Sequence, residues 1–189
     1  MDYKLIVIIS FTFLYGLFEI FMSVRQRRKL KIVKSGDRFS IWILSISIAI
    51  GYWISFSFAS TQVGRIRYWD SFFALGLILI SVGLIIRIKS ISTLKQHFTY
   101  AVNKIEDHEL IEVGLYRNIR HPGYLGQLII FLGISISLSN WISILSMMIA
   151  VLCGYIYRIN TEEKFLVAQM GTIYINYQRR TKKLIPKLY

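Results

Sequence analysis

Two polar blocks carry nearly all the reactive residue types that this chain places outside its apolar runs. The first runs from Asn103 through His108-Glu109-Leu110-Ile111 and Gly114-Leu115-Tyr116 to Arg120-His121-Pro122-Gly123-Tyr124. The second is Arg158-Ile159-Asn160-Thr161-Glu162-Glu163. An arginine fork can hold a carboxylate by two parallel hydrogen bonds. A glutamate one turn further on can accept from hydroxyl or amino groups and offset a positive charge. Arg158 and Glu162 share a helix face, which is also the signature of a solvated ion pair of small worth. Both follow directly on an apolar run, where ionisable groups are costly and tend to be functional. Pro122 suits the first turn of a helix, where its missing N–H costs nothing. His121-Pro122 therefore reads either as a helix start with an interfacial histidine or as a helix N-terminus that receives an anionic or dipolar group. Gly123, Gly126 and Gly133 form a small-residue strip that admits a packed helix or a flat ligand.

The elements that must position these residues are membrane helices. The 189 residues are 54% hydrophobic and only 17% charged, against about 25% charged in an ordinary soluble domain. Mean hydropathy is +0.51. One cysteine and two prolines leave no disulfide framework and no Cys-based zinc module. Five segments are apolar enough to span lipid: Leu5 to Val24, Ile41 to Ser60, Phe72 to Ile86, Leu125 to Leu138 and Trp141 to Tyr157. Ser139-Asn140 joins the last two into a tight hairpin, and both are short for a full crossing. The fold class is thus an all-α integral membrane protein of about five transmembrane helices with a C-terminal helical segment. In that segment Leu166, Met170, Ile173 and Tyr177 recur with helical spacing and predict one apolar face.

The net charge of +13 suits an anionic membrane surface, and no nucleic-acid-binding motif is visible. The basic residues of the first segment follow its apolar run and no small-residue cleavage site appears, so the segment reads as a retained helix rather than a signal peptide. With the N-terminus outside, 20 of the 23 Lys and Arg residues face the cytoplasm, as the positive-inside rule requires. The hairpin returns the chain to one membrane face, so the end of the first block and the start of the second should be neighbours. Glu19 reads as a structural residue snorkelling toward Arg25 or Arg27, and Cys153 as a small hydrophobe. His97, His108 and His121 have no metal-ligand spacing, and neither GxGxxG, a Walker loop nor GxSxG occurs. No metal site and no Rossmann domain are expected.

The string from His108 to Gly126, followed by Arg158, Glu162-Glu163, Gly171-Thr172-Ile173-Tyr174, Tyr177 and Leu184-Ile185-Pro186, resembles the isoprenylcysteine carboxyl methyltransferase family and related phospholipid methyltransferases. The resemblance covers roughly residues 87 to 189. It implies a catalytic region in 87–189, with the hairpin at 124–157 and a C-terminal cap, and leaves the apolar runs of 1–86 as N-terminal transmembrane helices 1–3. It implies S-adenosylmethionine as cofactor and a lipophilic or prenylated acceptor reached from the bilayer. By motif, Asn103, His108, Glu109, Leu110, Ile111, Tyr116, His121, Pro122, Gly123, Tyr124 and Glu162 would bind the cofactor, with the spacing from Asn103 to His108 shorter than in some members. Arg158 would meet the substrate, and Arg158 and Glu162 would form the catalytic pair. The membrane would be the inner membrane in a bacterium and the endoplasmic reticulum in a eukaryote.

Two other functions compete. NADPH-dependent membrane sterol reductases carry a similar His-Pro-x-Tyr-x-Gly pattern, commonly followed by Glu where this chain has Gln127. A small transporter or scaffold would be expected to show repeated halves or charged mid-membrane helices, and the spans here are nearly free of charge.

Overall fold

The computed structural model of the protein describes residues 2–29, 32–35, 39–94, 103–105 and 110–185. Its helices are α1 (Tyr3–Lys29), α2 (Phe39–Ala59), α3 (Trp69–Leu94), α4 (Pro122–Ser137), α5 (Trp141–Met170) and α6 (Thr172–Arg180). Four of them are long and apolar enough to cross a membrane, and α4 is a shorter apolar helix. At 16 residues α4 is about 24 Å long, short of a hydrocarbon core of about 30 Å. The 30 residues of α5 reach about 45 Å, so the helix runs without a break from its apolar part into the polar Arg158–Glu163 stretch.

A small ribbon joins this helical architecture. Strand β1 (Ile32–Ser35) pairs antiparallel with β2 (Asn103–Ile105), with Ser35 opposite Asn103. It ties the α1–α2 connection to the α3–α4 connection, which puts both at the same end of the bundle. At the other end, the α2–α3 loop meets the α4–α5 turn. Asn140 caps α5 there, accepting from the amides of Ile142 and Ser143 while its Nδ2 donates to the carbonyls of Phe58 and Val63.

Two helix pairs form the core. Helices α3 and α4 meet through glycines seven apart on each: a methyl on Gly83 would stand 2.6 Å from the Gly126 carbonyl oxygen, and one on Gly133 2.7 Å from that of Gly76. The glycine strip of α4 is therefore a helix-packing surface, as small residues in membrane helices commonly are. Helices α2 and α5 are clasped by a reciprocal pair, Ser55 Oγ donating to the Ser143 carbonyl at 2.8 Å and Ser143 Oγ to that of Ser55 at 2.7 Å. Gly83→Ala is expected to destabilise the protein by about 1–3 kcal/mol through overpacking against the facing backbone. Gly16, whose added methyl would touch nothing within 4 Å, is the control. A thermal midpoint in detergent that falls for Gly83→Ala and holds for Gly16→Ala checks this.

Three expectations need correction. The row from Leu166 to Tyr177 does not lie on one helix, because Gly171 with φ +56° ends α5 and starts α6. Ile173 is consequently exposed, whereas Tyr177 is buried. Helix α3 does not end with the apolar run at Ile86 but continues to Leu94, and Arg87 is a buried residue of that helix. Glu19 faces the bundle interior rather than only the loop that follows α1: its carboxylate takes Arg87 Nε at 3.1 Å and Nη2 at 2.8 Å, and the Tyr15 hydroxyl at 2.8 Å.

Candidate active site

The start of α4 is held by the C-terminal segment. The amides of Arg120 and His121 donate to the carbonyls of Lys182 and Lys183, at 2.8 and 3.0 Å. Arg120 is the centre of this strap: Nε donates to Glu163 Oε1 at 2.6 Å, and Nη1 to the carbonyls of Gln178 and Thr181. His121 Nε2 lies 3.2 Å from the same Glu163 oxygen. Residues 120–121 are thus joined to α5 and to the chain after α6, which confirms that the hairpin brings the two polar blocks together.

His121 stacks on Tyr124, with ring centroids 5.5 Å apart and planes 13° from parallel. The Tyr124 hydroxyl donates to Glu162 Oε2 at 2.6 Å and accepts from Arg158 Nε at 3.3 Å. Arg158 is almost wholly buried and donates through Nη1 to Ser40 Oγ. Arg158 and Glu162 therefore converge on one phenol instead of standing in water as a surface pair. On the cap, the Tyr177 hydroxyl donates to the Tyr116 carbonyl at 2.6 Å. Burial, aided by nearby glutamates, pushes the phenols of Tyr116, Tyr174 and Tyr177 well above the usual tyrosine range, which keeps them protonated.

These groups surround a cavity of about 330 Å³, within the range of small-molecule sites. Leu110, Ile111, Tyr116, His121, Gly123 and Tyr124 line it from one side, and Arg158 and Glu162 from α5. Its apolar wall comes from Ile20 of α1 and from Ile41, Leu44 and Ile48 of α2. Pro122 is buried at the first position of α4 and acts there as a helix start. Asn103 is placed at backbone level in β2, opposite Ser35. His108 and Glu109 lie outside the described residues.

The sequence reading missed several lining residues: Glu19, Arg87 and Arg120, and Phe165, Met170 and Tyr174 from the end of α5 and from α6. For Glu19 and Arg87 a signal existed, since an ionisable residue inside an apolar span needs a partner. Glu19 and Arg87 meet across 68 positions, beyond the reach of local pattern.

The cavity fits S-adenosylmethionine in kind. It offers a carboxylate fixed by a phenol, which can accept from amino or hydroxyl groups beside a sulfonium charge. Tyrosine and aliphatic walls from Leu110, Ile111, Tyr116 and Tyr124 suit a purine.

The phospholipid methyltransferase family model matches residues 71–172, which is more than half of the chain and includes the Arg120–Gly126 and Arg158–Glu163 segments. The chain belongs to the phospholipid methyltransferase family. Among relatives of this phospholipid methyltransferase family member, protein-S-isoprenylcysteine O-methyltransferase A of Arabidopsis thaliana is 37% identical over 122 residues, covering 64% of this chain and 61% of the relative. Protein-S-isoprenylcysteine O-methyltransferase of Dictyostelium discoideum is 29% identical over 142 residues, covering 74% and 58%. The chain thus spans about three fifths of the length of these curated relatives. A solved structure of the eukaryotic intramembrane Ras methyltransferase, an isoprenylcysteine carboxyl methyltransferase, superposes with a TM-score of 0.62 at 25% identity, covering 76% of this chain and 52% of that one. The helical, multi-pass membrane architecture expected from the hydropathy is the architecture of this family member.

Proposed function

We propose that the protein is a membrane-embedded, S-adenosylmethionine-dependent methyltransferase that esterifies the carboxylate of an isoprenylcysteine-like lipid. The observation that carries this reading is the convergence of Arg158, Tyr124 and Glu162 in one cavity that has a polar end and an aliphatic wall. The names of the relatives agree with it. The cofactor, bound at the polar end, supplies an electrophilic methyl group for in-line displacement.

The work of the chain is positioning and desolvation. Glu162, oriented by the Tyr124 hydroxyl, accepts from the cofactor and balances its charge. His121 and Tyr124 stack at the start of α4 and hold that wall flat. Arg158 presents its fork to the acceptor carboxylate and fixes it beside the methyl donor. A carboxylate is ionised at neutral pH, so no general base is needed. The aliphatic wall from α1 and α2 takes the lipid chain, and the cap of α6 and residues 181–185 covers the polar end. His108, Glu109 and Asn103 complete the cofactor's surroundings in this reading. Residues 87–189 carry both polar blocks, and the helices of 1–86 supply the acceptor wall. The basic loops put the cavity on the cytoplasmic face, with the N-terminus outside.

The test is calorimetric titration of the detergent-purified protein with S-adenosylhomocysteine and, in parallel, with NADPH. Binding of the first alone is expected. Binding of NADPH alone would overturn the reading in favour of a reductase, and binding of neither to folded protein would leave a transporter or scaffold. Tyr124→Ala removes the donor that orients Glu162 and is expected to weaken S-adenosylhomocysteine binding roughly tenfold, the worth of one charge-assisted hydrogen bond. An unchanged dissociation constant would take Tyr124 out of the cofactor site.

A further inference from the structure

At its membrane-deep end the cavity is lined by two uncharged polar side chains. Tyr155 of α5 is wholly buried there, and its hydroxyl has no hydrogen-bond partner among the described residues. A buried hydroxyl left unpaired is costly, and such a group in a native structure calls for an explanation. The ring is fixed against α4: its centroid lies 5.3 Å from that of Tyr124 and 6.4 Å from that of Phe131. Gln127 stands between those two residues, one helical turn from each on the same face of α4, and it also lines the cavity. An amide side chain is expensive inside an apolar membrane helix and tends to be there for function. Behind this floor Phe131 and Tyr52 meet edge to face at 5.8 Å. Tyrosine supplies a donor, and glutamine both a donor and an acceptor, so the floor suits a neutral hydrogen-bonding group.

We propose that Gln127 and Tyr155 form a subsite for an amide beside the acceptor carboxylate, which makes them specificity-determining residues for an N-acylated acceptor. The proposal rests on the reading of Arg158 as the receiver of that carboxylate. Tyr124 links the two places: its hydroxyl accepts from Arg158 Nε at 3.3 Å, while its ring packs on Tyr155. A carboxylate on Arg158 therefore carries the substituents of its neighbouring carbon toward the floor. There the Gln127 carbonyl accepts from the amide N–H, and the Tyr155 hydroxyl donates to the amide carbonyl. A secondary amide has one donor and one acceptor, which satisfies both side chains. A thioether accepts only weakly, and a free ammonium offers the hydroxyl no acceptor. The acceptor class is thus an N-acyl or peptidyl prenylcysteine rather than a plain prenyl acid.

The test uses the full-length protein in detergent and two acids, N-acetyl-S-farnesylcysteine and 3-(farnesylthio)propionic acid, which lacks only the acetylamino group. Wild type is expected to show a kcat/KM roughly twentyfold higher for the first, the worth of two neutral hydrogen bonds. Tyr155→Phe removes only the hydroxyl and should raise the KM of the N-acetyl acid about fivefold, with Gln127→Leu doing about as much. In both variants the KM of the amide-free acid and the affinity for S-adenosylhomocysteine should stay near wild type. The thermal midpoint of Tyr155→Phe should hold or rise, because the hydroxyl it loses is unpaired among the described residues. A midpoint that falls would make that hydroxyl a structural group and overturn the proposal. Equal KM changes for the two acids, or no change for either, would overturn it as well. If Gln127→Leu fails to fold, Tyr155→Phe decides alone. Wild-type protein that binds both acids and S-adenosylhomocysteine but methylates neither acid would refute the proposed reaction. The subsite would then be judged by the same comparison made on dissociation constants. Wild-type protein that binds S-adenosylhomocysteine but neither acid would overturn the subsite and leave the cofactor assignment standing.

Discussion

Replacing Arg158 by alanine is expected to lower turnover by roughly a thousandfold, about 4 kcal/mol of transition-state stabilisation, while S-adenosylhomocysteine affinity changes only a few-fold. The guanidinium is nearly fully buried, and truncating a buried, hydrogen-bonded charge costs about 2–5 kcal/mol. In this site that loss falls on the carboxylate it would hold for methyl transfer. Some effect on the cofactor side is expected, because Arg158 Nε donates to the same Tyr124 hydroxyl that holds Glu162. Arg158→Lys retains the charge but not the fork, and should fall between wild type and alanine. Steady-state kinetics against a prenylcysteine acid, with calorimetry of S-adenosylhomocysteine alongside, provides the check. Retained turnover at saturating cofactor, coupled with lost cofactor affinity, would exchange the roles of Arg158 and Glu162.

Arg120→Ala should have the largest effect on stability. This side chain ties the start of α4 to three places at once: Glu163 on α5, the end of α6 and Thr181 beyond it. Side-chain exposures of 8% for Arg120 and 9% for Glu163 leave little solvent to compensate. Breaking such a pair costs about 3–5 kcal/mol. The lower part of that range is expected, since His121 and Lys183 stay near Glu163, at 3.2 and 3.6 Å. The C-terminal strap should loosen with it, because its parallel pairing at Ile119 and Lys182 has no wide sheet behind it. A lower thermal midpoint together with faster proteolysis after Arg180 is the expected result. An unchanged midpoint would mean that the backbone bonds of 118–121 to 182–183 hold the cap without Arg120.

How much of the site was legible from pattern varies from residue to residue. Tyr124, Arg158 and Glu162 stand in motifs short enough to be read locally, and the hairpin between them required only that two apolar runs meet at Ser139-Asn140. The continuity of α5 past Tyr157 was not legible, since polar residues after an apolar run serve equally as loop or as helix. The break at Gly171 was hidden for the opposite reason: the apolar spacing from Leu166 to Tyr177 continues through it, and only a backbone at φ +56° turns the row off its face.

Hydropathy and charge distribution are local, additive properties. Read along the chain, they determined the number of apolar helices, the hairpin, the common side of the two polar blocks and the residues whose types alone make them candidates for chemistry. Tertiary structure alone decided which charge meets which. Glu19 reaches Arg87 across 68 positions and Arg120 reaches Glu163 across 43, and both distances are closed by glycine-tight helix packing and a C-terminal strap. In lipid, apolar side chains gain nothing from choosing one apolar neighbour over another, so the close fit of glycines and the pairing of buried charges select the arrangement. Those selections involve residues far apart in the chain, and no local pattern contains them.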